Sequence, residues 1–351
     1  MGAVGRQRRL TGSAKRSATA DPAGGAGRGF TPLALLSVAL LTFLALCLPT
    51  SAGAAVDDAE LLTYEPAGFI HSERTASEVD GFLADLDSYG IGQALLQMPA
   101  LNKNGHLKLK KKHGQIVMIP RWAERAALYN TAHGTHITVT AVLNGHPKGK
   151  RLNLEDPATR AEVVASAEHV IALGVSGVQL DFEPFPTSAG FVTLLGELDE
   201  AFARVGFAGR LSVVAPSHLA TWPPAFLHQV AEQLDQIDPT FYDSEYHSAA
   251  QYSQWLEEGL AYYSANVPAG VRIIPVIPSY GASRYHDTAA ENIATATSAI
   301  EAALSAGSRV NGAGIWWWWG FFYDEEGEGE YDGAADRATW LSSTLSVPFT
   351  P

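Results

Sequence analysis

Cysteine is all but missing from this chain: one residue in 351, Cys47, and it lies inside an apolar run. A disulfide framework and a thiolate metal site are thereby excluded for a mature protein cut after that run. A lipid on Cys47 is disfavoured as well, because Leu46 before it is not the small residue that such a cleavage site needs. Positive charge is scarce too. The 24 Lys and Arg face 37 Asp and Glu, and residues 1–55 take six of the basic residues with one acid. That segment carries +5 against −13 for the whole, which leaves −18 on the rest. Such a surface suits a neutral or cationic partner and excludes nucleic acid, whose phosphates need clustered Lys and Arg. No Gly-rich phosphate turn follows the first strand-like run, which speaks against a doubly wound dinucleotide fold. The glycines from Gly24 to Gly29 precede the apolar run and read as a flexible leader.

What is present starts with that leader. Arg6, Arg8, Arg9, Lys15, Arg16 and Arg28 precede an uncharged stretch from Phe30 to Leu48, and Ala52-Gly53-Ala54 follows as a small-residue cleavage site. Basic region, apolar region and A-x-A site spell a secretory signal peptide, so the mature protein is expected to begin near Ala55 or Val56 and to be exported. The alternative is an uncleaved membrane anchor with the folded part outside, since about 18 apolar residues suffice to span a bilayer. Arg8-Arg9 lies too far from the apolar run to make a twin-arginine signal.

From residue 56 to 351 the chain alternates strand-like and helix-like runs, and a single (β/α)8 TIM barrel is expected. The strands are predicted at Pro66–His71, Gly92–Met98, Thr135–Leu143, Gly177–Glu183, Arg210–Pro216, Gln236–Tyr242, Val271–Ile277 and Gly312–Trp319. Amphipathic helices are predicted at Arg160–Leu173, Gly190–Arg204 and Ala290–Leu304. The lysine-rich stretch from Leu101 to Pro120 reads as a hairpin inserted after the second strand. A monomer is expected.

In such a barrel the chemistry sits at the C-terminal ends of the strands. The fourth run reads Gly177-Val178-Gln179-Leu180-Asp181-Phe182-Glu183-Pro184. Strand alternation puts Gly177, Gln179, Asp181 and Glu183 on one face and the apolar residues on the other, so the polar set points into the barrel. Two carboxylates two residues apart, partly desolvated, favour a retained proton on one of them, which is what a general acid needs. A solvated strand end, or pairing with Arg or Lys, is the plainer alternative.

The run from Ser176 to Glu183 resembles the D-G-x-D-x-D-x-E signature of glycoside hydrolase family 18, the chitinase family. Phe241-Tyr242-Asp243 is similar to that family's M-x-Y-D motif, and the run from Trp316 to Trp319 falls where the family has a tryptophan under the sugar. Ser176 and Gln179 replace the first two Asp residues, and Ala141-Val142-Leu143-Asn144-Gly145 lacks the family's S-x-G-G. Non-catalytic relatives typically lose the residue equivalent to Glu183, which this chain has.

The resemblance implies hydrolysis of glycans containing N-acetylglucosamine (chitin, peptidoglycan or the N-glycan type) with retention, through attack by the sugar's own 2-acetamido oxygen. Glu183 would be the acid, Asp181 the partner of the acetamido N–H, and Tyr242 the donor to the acetamido oxygen. Gln179, Asp243, Trp318, Trp316, His71, His218 and Tyr280 are candidate sugar-binding residues, Trp318 being chosen as the floor on strand parity. The seventh strand ends without a carboxylate, which favours substrate assistance over a protein nucleophile. A barrel that binds such glycans with little turnover is the runner-up, and a hydrolase of another glycan the third reading.

No cofactor and no metal are implied. His133-x-x-His136, with His71 and His218, forms no ligand pattern. The acidic stretch of Asp324, Glu325, Glu326, Glu328, Glu330 and Asp332 lacks the spacing of a calcium loop and reads as a solvated segment.

Overall fold

The computed structural model describes residues 60–65, 73–110, 115–145, 152–316, 318–323, 331 and 333–343. Among the described residues nine strands form one parallel sheet: β1 (Glu60–Glu65), β2 (Gln93–Gln97), β3 (Thr138–Asn144), β4 (Gly177–Asp181), β5 (Arg210–Ala215), β6 (Gln236–Pro239), β7 (Arg272–Ile273), β8 (Val276–Pro278) and β9 (Gly312–Trp316). Between them run the helices α1 (Ala76–Ser88), α2 (Gln115–His133), α3 (Pro157–Ile171), α4 (Ala189–Val205), α5 (Pro224–Ala231), α6 (Ala249–Asn266) and α7 (Ile293–Ser305), followed by α8 (Trp318–Tyr323) and α9 (Gly333–Ser342). The order β7-β6-β5-β4-β3-β2-β1-β9-β8 leaves β7 and β8 at opposite ends of the list. They are two halves of one barrel position, parted only by Ile274 and Pro275. Ile274 N–H still bonds to Ile237 and the Pro275 carbonyl still accepts from Gly314 N–H at 2.8 Å, so the chain continues as a strand through the break. Phe241 N–H donates to the Val276 carbonyl at 2.7 Å, which joins β6 to β8 and closes eight positions into the expected barrel.

Closure separates two cores, because successive residues of a strand face opposite sides. Val178, Leu180 and Phe182 pack outward with helix residues such as Leu194, Leu198 and Phe191. Leu95, Val142, Val214, Ile274 and Val276 fill the interior, roofed by Phe185, Tyr242 and Trp316. Local signals set the helix ends. Thr75 and Glu78 form a reciprocal capping box at the start of α1, Asp156 with Pro157 opens α3, and Gly206 in left-handed conformation (φ 68°) ends α4. Trp340 of α9, fully buried, donates its indole N–H to the Tyr89 carbonyl at 3.0 Å and ties the last helix back to the first.

The structure revises several expected boundaries. The first strand runs Glu60–Glu65, ahead of the predicted 66–71, which lies outside the described residues. Residues 101–110 contain no strand and Gln115–His133 is helix, so the described residues of this stretch form no hairpin. Alternating Lys and Leu imitated a strand there, whereas Met118, Ile119, Trp122 and Ala126 are buried at helical spacing. The fourth strand stops at Asp181, two residues before Glu183, and the sixth at Pro239. Of the four tryptophans Trp316 ends a strand and Trp318 and Trp319 belong to α8, while Trp317 lies outside the described residues. The leader of residues 1–55 and the acidic segment 324–330 with Asp332 lie outside the described residues. Among the described residues no helix is long and apolar enough to cross a membrane.

Candidate active site

The inward face of β4 carries Gly177, Gln179 and Asp181. A Cβ on Gly177 would press on the Thr140 hydroxyl, so the backbone needs glycine to approach its neighbour strand. Gln179 is completely buried, and its amide donates to Ser212 Oγ at 3.2 Å and to the Asp238 carboxylate. It therefore lies beneath the site and braces it from inside the barrel.

Asp181 closes the strand and is 8% exposed. Glu183 lies one step beyond Phe182, whose ring anchors outward against Phe191 and leaves no room for a Cβ on Gly145. The Glu183–Pro184 peptide is cis. Phe182 before it is buried, whereas Glu183 and Pro184 are exposed at the barrel mouth. Beside it opens a cavity of about 280 Å³ between the segments after β3 and β4, lined by Asn153, Glu155, Phe185 and Thr187 among others. The Gly190 N–H and the Ser188 hydroxyl hold the Glu155 carboxyl below the usual range, so it contributes a fixed negative charge.

Tyr242 stands on the opposite wall, three residues past β6. Burial drives its phenol well above the ordinary tyrosine range, and the charges of Glu183, Asp181 and Asp243 add to this. The charges of all three carboxylates are thus felt at one hydroxyl, which stays protonated as a donor at any physiological pH. Trp316 stacks on the Tyr242 ring, centroids 5.5 Å apart and planes 10° from parallel. Tyr280 follows β8 and donates its hydroxyl to Asp243 Oδ1 at 2.7 Å. Its own phenol is raised by burial first and by Asp243 second.

Asp181, Glu183, Tyr242, Asp243, Trp316 and Tyr280 are therefore brought together. His218 is exposed just past β5 on the same rim. His71 lies outside the described residues, and so does the Trp318 side chain. Trp318 starts a helix, so the strand parity that selected it as a floor does not apply. His133 stacks on Tyr129 at the end of α2, and among the described residues no three His, Cys, Asp or Glu side chains group as metal ligands would.

Sequence reasoning missed Asp238, His286 and Glu291, all buried. Asp238 could have been found, since residues 238, 240 and 242 share the inward parity of the sixth strand. His286 precedes the helix predicted from Ala290 and Glu291 falls at its start, and neither position carries such a signal.

A closed parallel barrel with convergent carboxylates at the C-terminal mouth is the architecture of a large class of enzymes. Comparison with solved structures narrows the fold. A family GH18 chitinase catalytic domain from the fern Peteris ryukyuensis superposes with a TM-score of 0.54 at 14% identity, over 81% of this chain and 100% of that one. The GH18 chitinase ChiB from the chitin utilization locus of Flavobacterium johnsoniae gives 0.54 at 16%, over 81% and 94%. The spore cortex-lytic enzyme SleL of Bacillus megaterium gives 0.55 at 12%, over 81% and 73%. The chain has the fold of the family 18 chitinases in a divergent form. No family model and no curated protein matches its sequence.

Proposed function

We propose that this protein is an exported glycoside hydrolase that cleaves glycans containing N-acetylglucosamine by substrate assistance. The observation that carries the reading is the convergence of Asp181, Glu183 and the Tyr242 hydroxyl at the mouth of a barrel of this fold. Glu183, exposed beside the cavity, protonates the leaving glycosidic oxygen, and the C1–O bond breaks as the substrate's acetamido oxygen closes on C1. Asp181 accepts the acetamido N–H and balances the positive charge of the oxazolinium that forms. Tyr242 donates to the acetamido oxygen and orients it. Water, activated by the now ionised Glu183, reopens the ring and returns the proton, so the anomeric configuration is retained. The described end of β8, Val276-Ile277-Pro278 followed by Ser279 and Tyr280, offers no carboxylate as a protein nucleophile.

A second reading, glycan binding with little turnover, draws support from the diversion of Gln179 to Asp238. Chromogenic N-acetylchitooligosaccharides separate the two: release of the chromophore supports hydrolysis, whereas calorimetric binding without release supports the second. Export rests on the leader, and N-terminal sequencing of secreted protein tests it. A start near Ala55 or Val56 is expected, and membrane-bound protein beginning at Met1 would contradict cleavage.

A further inference from the structure

A buried histidine–carboxyl pair, His286 with Glu291, that the steps above do not use ties together two segments of the barrel mouth. Asp243 (φ 54°) and Glu245 (φ 60°) hold left-handed backbone on either side of Ser244, a conformation that non-glycine residues keep only when their surroundings enforce it. The enforcing contacts come from the segment after β8. Ser244 donates its N–H to Glu291 Oε1 at 3.0 Å and its hydroxyl to the same oxygen. Glu245 N–H donates to the Tyr285 carbonyl at 3.0 Å, and the Tyr280 hydroxyl reaches Asp243.

Glu291 is fully buried and His286 is 2% exposed. His286 Nδ1 lies 3.1 Å from Glu291 Oε2, and Nε2 lies 3.1 Å from the Tyr280 carbonyl oxygen. A carbonyl can only accept, so Nε2 carries a proton. Glu291 Oε1 accepts from Ser244 and Oε2 shares a hydrogen bond with Nδ1, so both carboxyl oxygens and both ring nitrogens have partners. The His286 ring also stacks on Tyr280, centroids 4.1 Å apart. The other titratable groups facing the pair are Asp287 and, from α9, Asp336 on the imidazole side, with Tyr280 and, from α6, Tyr252 on the carboxylate side.

We propose that His286 and Glu291 act as one positioning unit, which locks the 243–245 turn to the 280–291 segment and so holds Asp243 and Tyr280 on the sugar-binding rim. The inference rests on the glycan reading above. Its test takes the full chain, Glu291→Gln and the milder Ser244→Ala through two readouts. In crystal structures, Glu291→Gln is expected to open the Tyr280–Asp243 bond and release Asp243 from its left-handed backbone while the strands superpose on the parent. On a chromogenic N-acetylchitooligosaccharide, kcat/KM is expected to fall on the order of 10²-fold, the loss carried more by KM than by kcat. Ser244→Ala shifts both in the same direction by less, and it takes the place of Glu291→Gln should that variant fail to fold. Unmoved Asp243–Tyr280 geometry in the folded variant overturns the proposal whether or not the parent is active. A parent that leaves the probe intact removes the hydrolase reading alone, and the crystallographic arm still decides.

Discussion

Gln179 of β4 donates its side-chain amide to the carboxylate of Asp238 on β6, across the barrel interior past Ser212 of β5. Gln236 adds a second amide N–H to the same carboxylate at 3.1 Å. The D-G-x-D-x-D-x-E pattern has an Asp at the position of Gln179, and in this chain a buried carboxylate reaches that position from β6.

Gln179→Asp should then set two carboxylates against each other in the core. Like-charge repulsion makes the folded pair hold a proton that the unfolded chain gives up, so folded-state pKa is raised. Stability of this variant is expected to be greatest in acid and to fall as pH rises toward neutrality, because the native state binds more protons than the unfolded one. Adding Asp238→Asn should remove the fall. Urea midpoints at pH 5 and pH 8 check it, and a Gln179→Asp variant whose midpoint follows the parent at both would contradict the observed contact.

Asp336 is buried, and burial lifts its carboxyl to about 6 even though the Tyr331 and Ser279 hydroxyls donate to it and pull the other way. A raised carboxyl contributes stability that is complete below its unfolded value and lost as pH rises through the folded one. The parent should therefore lose melting temperature between about pH 4 and pH 6 relative to Asp336→Asn, and the difference should be constant above that window. Parallel melting curves of the two proteins from pH 4 to 7 would show that Asp336 does not titrate there.

Gly320 of α8 packs so closely on the end of the seventh barrel position that a Cβ would collide with the Ser279 carbonyl oxygen. Gly320→Ala must push back Ser279 and with it Tyr280. The expected cost is about 1–3 kcal/mol, as for overpacking elsewhere, with weaker glycan binding as a second consequence. Denaturant titration measures the first and calorimetry the second. An unchanged midpoint would mean that α8 yields freely.

The barrel could be read from the sequence because its strands are short apolar runs with inward polar residues at spacing two, and the alternation with helices recurs through the chain. The same parity placed Gln179 and Asp181 inside. It failed where composition and geometry part: aromatic residues suit strands, so the tryptophan run read as one strand, yet β9 ends at the barrel mouth and Trp318 turns into a helix. Lysine alternating with leucine suggested a hairpin where Met118 and Trp122 bury a helix face. The partners of Gln179 and the pairing of His286 with Glu291 depend on which strands and segments meet at the mouth, and a single sequence carries no local mark of that.

Glu183 is exposed, so Glu183→Gln should leave stability within about 0.5 kcal/mol of the parent while turnover falls roughly 10²–10⁴-fold with glycan affinity retained. Loss of folding instead of turnover would show that the carboxylate is structural.

Paired chromogenic glycosides, identical except that one series carries the 2-acetamido group and the other a hydroxyl, decide whether the substrate supplies its own nucleophile. The parent is expected to hydrolyse the acetamido series with retention of configuration and to leave the hydroxyl series untouched, and Glu183→Gln to hydrolyse neither. Equal rates on both series, or an undiminished rate in Glu183→Gln, would contradict the assignment of Asp181, Glu183 and Tyr242.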